Sequence, residues 1–196
     1  MRIEIAGAIG SGKTSLARLL LENGYNIVFE EFKLNPFWKA FYSNPDKYNF
    51  ETEITFILQH YHELKRKLEE TNDIVCDFSF IQDLAYAEMG LKQSQLAIFR
   101  SVYDYIIQEL GEPTLIIFMQ CSVNGLLERI RLRGRQEETL INAEFLDALS
   151  KFIVKEVNRK TANKKISFLE IDTEQINIIS SFEDQRYILQ KLPQLI

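Results

Sequence analysis

Cysteine and histidine are nearly missing from this chain of 196 residues, with two of each. Cys76 and Cys121 are too few for a disulfide framework. Both sit in or beside apolar runs and read as small core residues of a protein kept in a reducing compartment. His60 and His62 leave no set from which a Cys/His metal cage is built. No apolar run approaches the ~20 residues that span a bilayer, and no signal peptide opens the sequence. No membrane partner and a cytoplasmic location are therefore expected. Basic residues are the minority, 23 against 28 acidic, for a net charge of −5. That argues against a general nucleic-acid binder, although a local basic cluster still suits one small anion. No repeat, low-complexity segment or linker divides the chain. With 46% hydrophobic and 26% charged residues it is not a disordered chain. A chain of this length buries roughly 70% of its unfolded surface, enough for a core without staples, so one domain over residues 1–196 is expected.

Short β-rich runs alternate with longer helical patterns. Strands are predicted near Arg2–Gly7, Tyr25–Phe29, Asp73–Asp77, Leu115–Gln120 and Ile166–Ile171. Helices are predicted over Lys13–Glu22, Asp46–Glu70, Ser79–Met89, Gln93–Leu110, Val123–Leu132, Asn142–Lys160 and Phe182–Leu192. Ile74-Val75-Cys76 and Leu115–Met119 are continuously apolar, as strands covered on both faces must be. The alternation predicts a five-stranded parallel sheet with helices on both faces, an α/β/α sandwich that binds ligands beyond the carboxyl ends of its strands.

The strongest local signal is Gly7-Ala8-Ile9-Gly10-Ser11-Gly12-Lys13-Thr14, a full G-x-x-x-x-G-K-[ST] match between a strand and a helix. Its glycines let backbone N–H groups converge on phosphate oxygens at the positive end of the helix. Lys13 is expected on the β- and γ-phosphates and the Thr14 hydroxyl on Mg²⁺, giving a P-loop NTPase-like fold that takes ATP or another nucleoside triphosphate.

Arg129, Arg131, Arg133 and Arg135 then fall within seven residues of an acidic protein. One reading is a solvated basic helix end favoured by the macrodipole. The other is a lid over about 129–141, whose guanidinium forks neutralise charge on a transferred group; the phosphate loop upstream favours this second reading. On a helix Arg129 and Arg133 share one face, and Gly134 lets the chain turn so that Arg135 reaches the same target. Carboxylates cluster at strand ends: Glu30 and Glu31 after the second strand and Asp77 at the close of the third. Such groups cap helices, and in a phosphotransferase they also accept a hydroxyl proton or hold Mg²⁺.

Taken in order from the phosphate loop through the lid, these residues resemble the deoxynucleoside kinase family, which includes the bacterial deoxyadenosine and deoxyguanosine kinases. The resemblance implies a general base at Glu31, in Phe29-Glu30-Glu31-Phe32, and a Mg²⁺ ligand at Asp77 beside Thr14. Asn35-Pro36-Phe37 is similar to the family's Asn-Pro stretch after the base. Tyr42 and Glu138 match residues that share the sugar 3′-hydroxyl, and Asp83 an aspartate that faces the base. The implied acceptor end departs from the family. Its base-reading glutamine is Glu53, and the arginine seven residues later is His60. The arginine that pairs with the general base and holds the 5′-hydroxyl is Phe78, and an aromatic that stacks on the base is Ala87. An ionised carboxylate only accepts hydrogen bonds, whereas an amide also donates, so Glu53 needs donors or a protonated partner such as His60. Phe37, Trp38, Phe41, Tyr42, Tyr48, Phe50 and Phe56 crowd the stretch that would wall this pocket, either as core or as stacking faces.

The expected activity is ATP–Mg²⁺-dependent transfer to the 5′-hydroxyl of a deoxynucleoside or a nucleoside-like small alcohol, by a homodimer built on Asp46–Glu70 and Gln93–Leu110. The expected catalytic set is Lys13, Glu31, Arg129, Arg133 and Arg135. Two alternatives stand beside it. One is a nucleotide-binding regulatory module without acceptor catalysis, suggested by Phe78. The other is a nucleoside monophosphate kinase, which needs further arginines for the acceptor's own phosphate.

Overall fold

The computed structural model describes residues 1–162 and 165–194; the remaining positions of the expected domain, 163–164 and 195–196, lie outside the description. Five strands, β1 (Arg2–Ala6), β2 (Ile27–Val28), β3 (Ile74–Cys76), β4 (Leu115–Gln120) and β5 (Ser167–Asp172), form one sheet in the order β2-β3-β1-β4-β5. Every pairing is parallel, with Ile3 opposite both Val75 and Leu115 and Val28 opposite Cys76. The apolar runs of β3 and β4 are buried, as two-sided coverage requires.

The helices are α1 (Lys13–Glu22), α2 (Trp38–Ser43), α3 (Pro45–Leu68), α4 (Phe80–Gly90), α5 (Gln93–Leu110), α6 (Val123–Arg133), α7 (Ala143–Thr161) and α8 (Phe182–Lys191). Only α2 is unanticipated: six residues are too short for an apolar period to declare itself among neighbouring aromatics. Ile3 and Ile5 of β1 pack on Leu16 and Leu20 of α1 and Ile188 of α8. The opposite face, through Ile116 and Phe118, meets Leu126 of α6 and Leu146 and Leu149 of α7. Ile74 and Cys76 complete that layer against Ile57 of α3, Leu84 of α4 and Phe99 of α5. The result is an α/β/α sandwich with β1 at its centre.

One buried charge pair inside this core bears on the site. Glu4 of β1 lies 3.1 Å from Arg2 Nε and accepts from the Phe80 N–H at 3.2 Å. The bond fixes where α4 begins. Ser79 caps the same helix by accepting from the Gln82 N–H, which places Asp83 in its first turn. Because the strands run parallel, the segments after β1, β2, β3 and β4 all emerge along one edge of the sheet.

Candidate active site

The loop after β1 is built for an anion. Gly12, at φ 101°, precedes Lys13 as the cap of α1 and has no side chain to occupy the N–H groups of the first turn. Gly10, at φ 84°, lets α6 pack close: a Cβ there would meet the Leu126 carbonyl at 3.1 Å. Lys13 is buried and donates to the Gly7 and Ala8 carbonyls at 2.8 and 3.2 Å. Burial pulls its ammonium below the usual lysine range, against the charges of Glu30 and Asp77 and together with that of Arg133. The Thr14 hydroxyl donates to Asp77 Oδ2 at 2.8 Å, while Asp77 Oδ1 is buried without a partner among the described residues. Burial raises the Asp77 carboxyl to about 7, opposed by the Thr14 hydrogen bond and by Lys13.

At the second strand end the structure separates two adjacent glutamates. Both lie past the end of β2, and Glu31 already starts the turn over Phe32–Leu34. Glu31, expected as the base, is exposed and sits on the rim of a cavity of about 390 Å³ beside Leu34 and His62. Glu30 is the inward one. Its Oε1 lies 3.5 Å from His60 Nε2. Burial works against its charge, yet the hydrogen bond and charge of His60, then Lys13 and Arg135, hold it below the usual carboxylate range. Of the two, Glu30 and not the expected Glu31 is the glutamate that meets His60 and the charge of Lys13.

His60 on α3 is buried, and its Nδ1 lies 2.9 Å from Asp83 Oδ2. Its ring stacks on Phe78 at 4.0 Å and 7°. Burial alone would lower the imidazole, but the Asp83 charge and hydrogen bond, then Glu30, raise it to about 10. Glu53, two turns earlier on α3, is also buried and makes no side-chain hydrogen bond among the described residues. Burial, with the Asp83 charge adding to it, pushes its carboxyl well above the usual range. When protonated, the Glu53 carboxyl both donates and accepts, the pattern of the glutamine the resemblance expects.

Tyr42 of α2 and Glu138 converge from opposite sides. Burial raises the Tyr42 phenol, with Glu138 and Glu30 adding to it. Tyr86 was not anticipated: burial first, then Tyr42, Glu53, Glu30 and Glu138 raise its phenol, so it shares their space. Ala87, where the resemblance misses an aromatic, is packed in the core. Spacing from Asp83, three residues along α4, is the signal that finds Tyr86.

The basic cluster divides. Arg129 bridges α6 to the end of β5, donating to Thr173 Oγ1 at 2.8 Å, to the Thr173 carbonyl at 2.6 Å and to the Ser11 carbonyl at 3.3 Å. Arg131 is exposed. α6 ends at Gly134 in the left-handed region, φ 66°, and Arg133 from its last turn and Arg135 from just beyond it both donate to the buried Glu138, Arg135 at 3.1 Å. Arg135 also lies over the Phe32 ring at 4.1 Å. The two arginines do meet at one target, and here that target is Glu138.

An anion cradle on one side of Glu30 and a polar, aromatic-walled acceptor region on the other is the layout of a P-loop phosphotransferase. The comparisons specify which. A profile of deoxynucleoside kinases matches residues 3–196, and the chain belongs to that family. It is 28% identical over 204 residues to the deoxyguanosine kinase of Bacillus subtilis, covering 99% of this chain and 97% of that one. It is 31% identical over 206 residues to the deoxyadenosine kinase of Dictyostelium discoideum, covering 97% and 83%. Its fold superposes on the deoxyadenosine kinase of M. mycoides with bound dCMP and dCDP at a TM-score of 0.84, with 24% identity over 99% and 100% of the two chains. This kinship supports a nucleoside acceptor over both alternatives.

Proposed function

We propose that this protein moves the terminal phosphoryl group of ATP to the 5′-hydroxyl of a deoxynucleoside, with Glu30 as the general base. The observation that carries the assignment is the inward Glu30 carboxylate, held ionised between His60 and Lys13 at the carboxyl edge of the sheet. In the reacting complex Lys13 exchanges the Gly7 and Ala8 carbonyls for phosphate oxygens. The first-turn N–H groups of α1 hold the remaining phosphate charge. The acceptor O5′ bonds to the γ-phosphorus as the bond to the ADP oxygen breaks, and the hydroxyl proton passes to Glu30.

Thr14 and Asp77 fit Mg²⁺. They offer a hydroxyl beside a carboxylate whose second oxygen has no partner among the described residues, a set of hard oxygen donors that phosphates and waters complete. Bound there, the ion would neutralise phosphate charge. The lid over 129–141 brings Arg133 and Arg135 from Glu138 toward the transferring group, with Arg129 bracing its helix. Tyr42 and Glu138 take the sugar 3′-hydroxyl; Glu53, Asp83 and Tyr86 face the base. The single domain assembles as a homodimer through α3 and α5, where Tyr61 and Tyr105 pack edge to face at 6.5 Å and Tyr105 is 59% exposed. Two free cysteines and a demand for nucleotide pools suit the cytoplasm.

Thermal shift tests the reading. A deoxynucleoside at ~100 times its dissociation constant stabilises the fold by about 2.7 kcal/mol. A shift with deoxynucleosides is expected; a shift with nucleoside monophosphates only would contradict it.

A further inference from the structure

The site's negative charge exceeds its obvious supply of cations. Asp83 and Asp77 are buried and Glu30 is half-buried beside them, and the arginine that the family resemblance expects against the base is Phe78, 1% exposed and without charge. The arginine expected at position 60 is also missing. Yet Glu30 is not left bare. The His60 ring lies flat on Phe78, so the substituting side chain sets the plane of the imidazole. In that plane one ring nitrogen meets Asp83 at 2.9 Å and the other points to Glu30 at 3.5 Å. His60 Nε2 makes no hydrogen bond among the described residues, and the Glu30 carboxylate faces it at ion-pair distance. The titratable groups facing the ring are Asp83 from α4, Glu30 from the segment after β2 and Glu53 from its own helix.

Resting on the kinase reading above, we infer that His60 is the positioning residue of the general base: clamped as an imidazolium by Asp83, it orients Glu30 and keeps it ionised. A single histidine thereby stands in for two absent arginines. The chemistry supports the substitution. An imidazolium has two N–H donors on opposite sides of a rigid ring, so it ties two carboxylates at once, whereas neutral imidazole donates to only one. Asp83 supplies what the exchange needs, since its charge offsets the burial that would otherwise strip the ring of its second proton. Phe78 contributes shape. A ring stacked at 4.0 Å excludes water from that face of the imidazole and leaves both nitrogens at its edge free for the carboxylates.

Two measurements test this, one independent of turnover. With only two histidines, ring-labelled protein gives two sets of imidazole signals, and His60→Gln assigns them. His60 is expected to stay doubly protonated through pH 8. Glu30→Gln should lower the His60 midpoint by about one unit, the tenfold in protonated fraction that a nearby charge supplies. In kinetics, His60→Gln should lower kcat by about ten- to a hundredfold, part of what a general base contributes, with the KM for ATP little changed. Its acid limb in kcat/KM should move to higher pH, because without the cation Glu30 takes up a proton more readily. A histidine that titrates near neutrality and ignores Glu30→Gln would overturn the clamp even if the wild-type protein turned over no acceptor. An unmoved acid limb in folded His60→Gln would overturn the positioning role. Absence of turnover in wild type, with the coupled titration intact, would sink the kinase reading and leave the clamp standing.

Discussion

Exchanging each of two adjacent glutamates for glutamine discriminates the assignments sharply. Glu30→Gln keeps the volume and one carbonyl oxygen for His60 to donate to, but an amide takes no proton from the acceptor hydroxyl. A positioned general base contributes typically 10²–10⁴-fold, so kcat should fall by that factor, about 2.7–5.4 kcal/mol of barrier. Binding of ATP should barely change, because Lys13 and the helix terminus are untouched. Glu31→Gln is a surface change on the rim of an open cavity, and such changes stay within about 0.5 kcal/mol. Its kcat should stay within about threefold of wild type. The pH dependence adds a second reading. The cations around Glu30 hold it below the usual carboxylate range. The acid limb of wild-type kcat/KM should therefore lie below ~4.3, the ordinary glutamate value, so that activity persists well into acid. The assay is steady-state phosphoryl transfer from ATP–Mg²⁺ to the deoxynucleoside the protein uses fastest. A crippled Glu31→Gln beside an active Glu30→Gln would refute the inward–outward argument.

Three further outcomes follow from the same geometry. Lys13→Ala should abolish measurable transfer while leaving melting temperature close to wild type, since its amine bonds only loop carbonyls; near-normal turnover would mean the loop holds something other than the reacting triphosphate. Arg133→Ala and Arg135→Ala should cut turnover far more than acceptor affinity, toward the ~10³–10⁵-fold that such arginines supply in phosphoryl transfer; losses under about threefold in both would leave only a solvated helix end. Burial pushes the Glu53 carboxyl upward, so Glu53→Gln should preserve the ranking of acceptors wherever Glu53 is protonated, because a protonated acid and an amide both donate and accept. Raising the pH ionises Glu53, so acceptor affinity should fall in wild type and hold in Glu53→Gln; a reordered ranking at neutral pH would show Glu53 acting as a carboxylate.

The fold was legible where the signal is local. The phosphate loop is contiguous, and the continuous apolar runs of β3 and β4 announce strands buried on both faces. The site was legible in residue type more than in direction. Two glutamates in a row after β2 leave the phase of alternation open, and only the packed structure turns Glu30 inward. The spacing of Glu53 and His60 correctly puts both on the buried side of α3, but His60 finds its partners on other elements, 23 residues away in Asp83 and before α3 in Glu30. Likewise the bond from Arg129 to Thr173 joins residues 44 apart, which no motif in the lid reveals. Tyr86 lies one residue before Ala87, the position at which the family pattern expects its aromatic.

The central claim is met most directly by a single-turnover experiment. Purified protein is mixed with γ-labelled ATP, Mg²⁺ and, separately, deoxyadenosine, deoxyguanosine, deoxycytidine, thymidine and their monophosphates. Label appearing as a deoxynucleoside 5′-monophosphate, and absent from the Lys13→Ala protein, is the result the account predicts. Label only on monophosphates, or released only as inorganic phosphate with every acceptor, would contradict it.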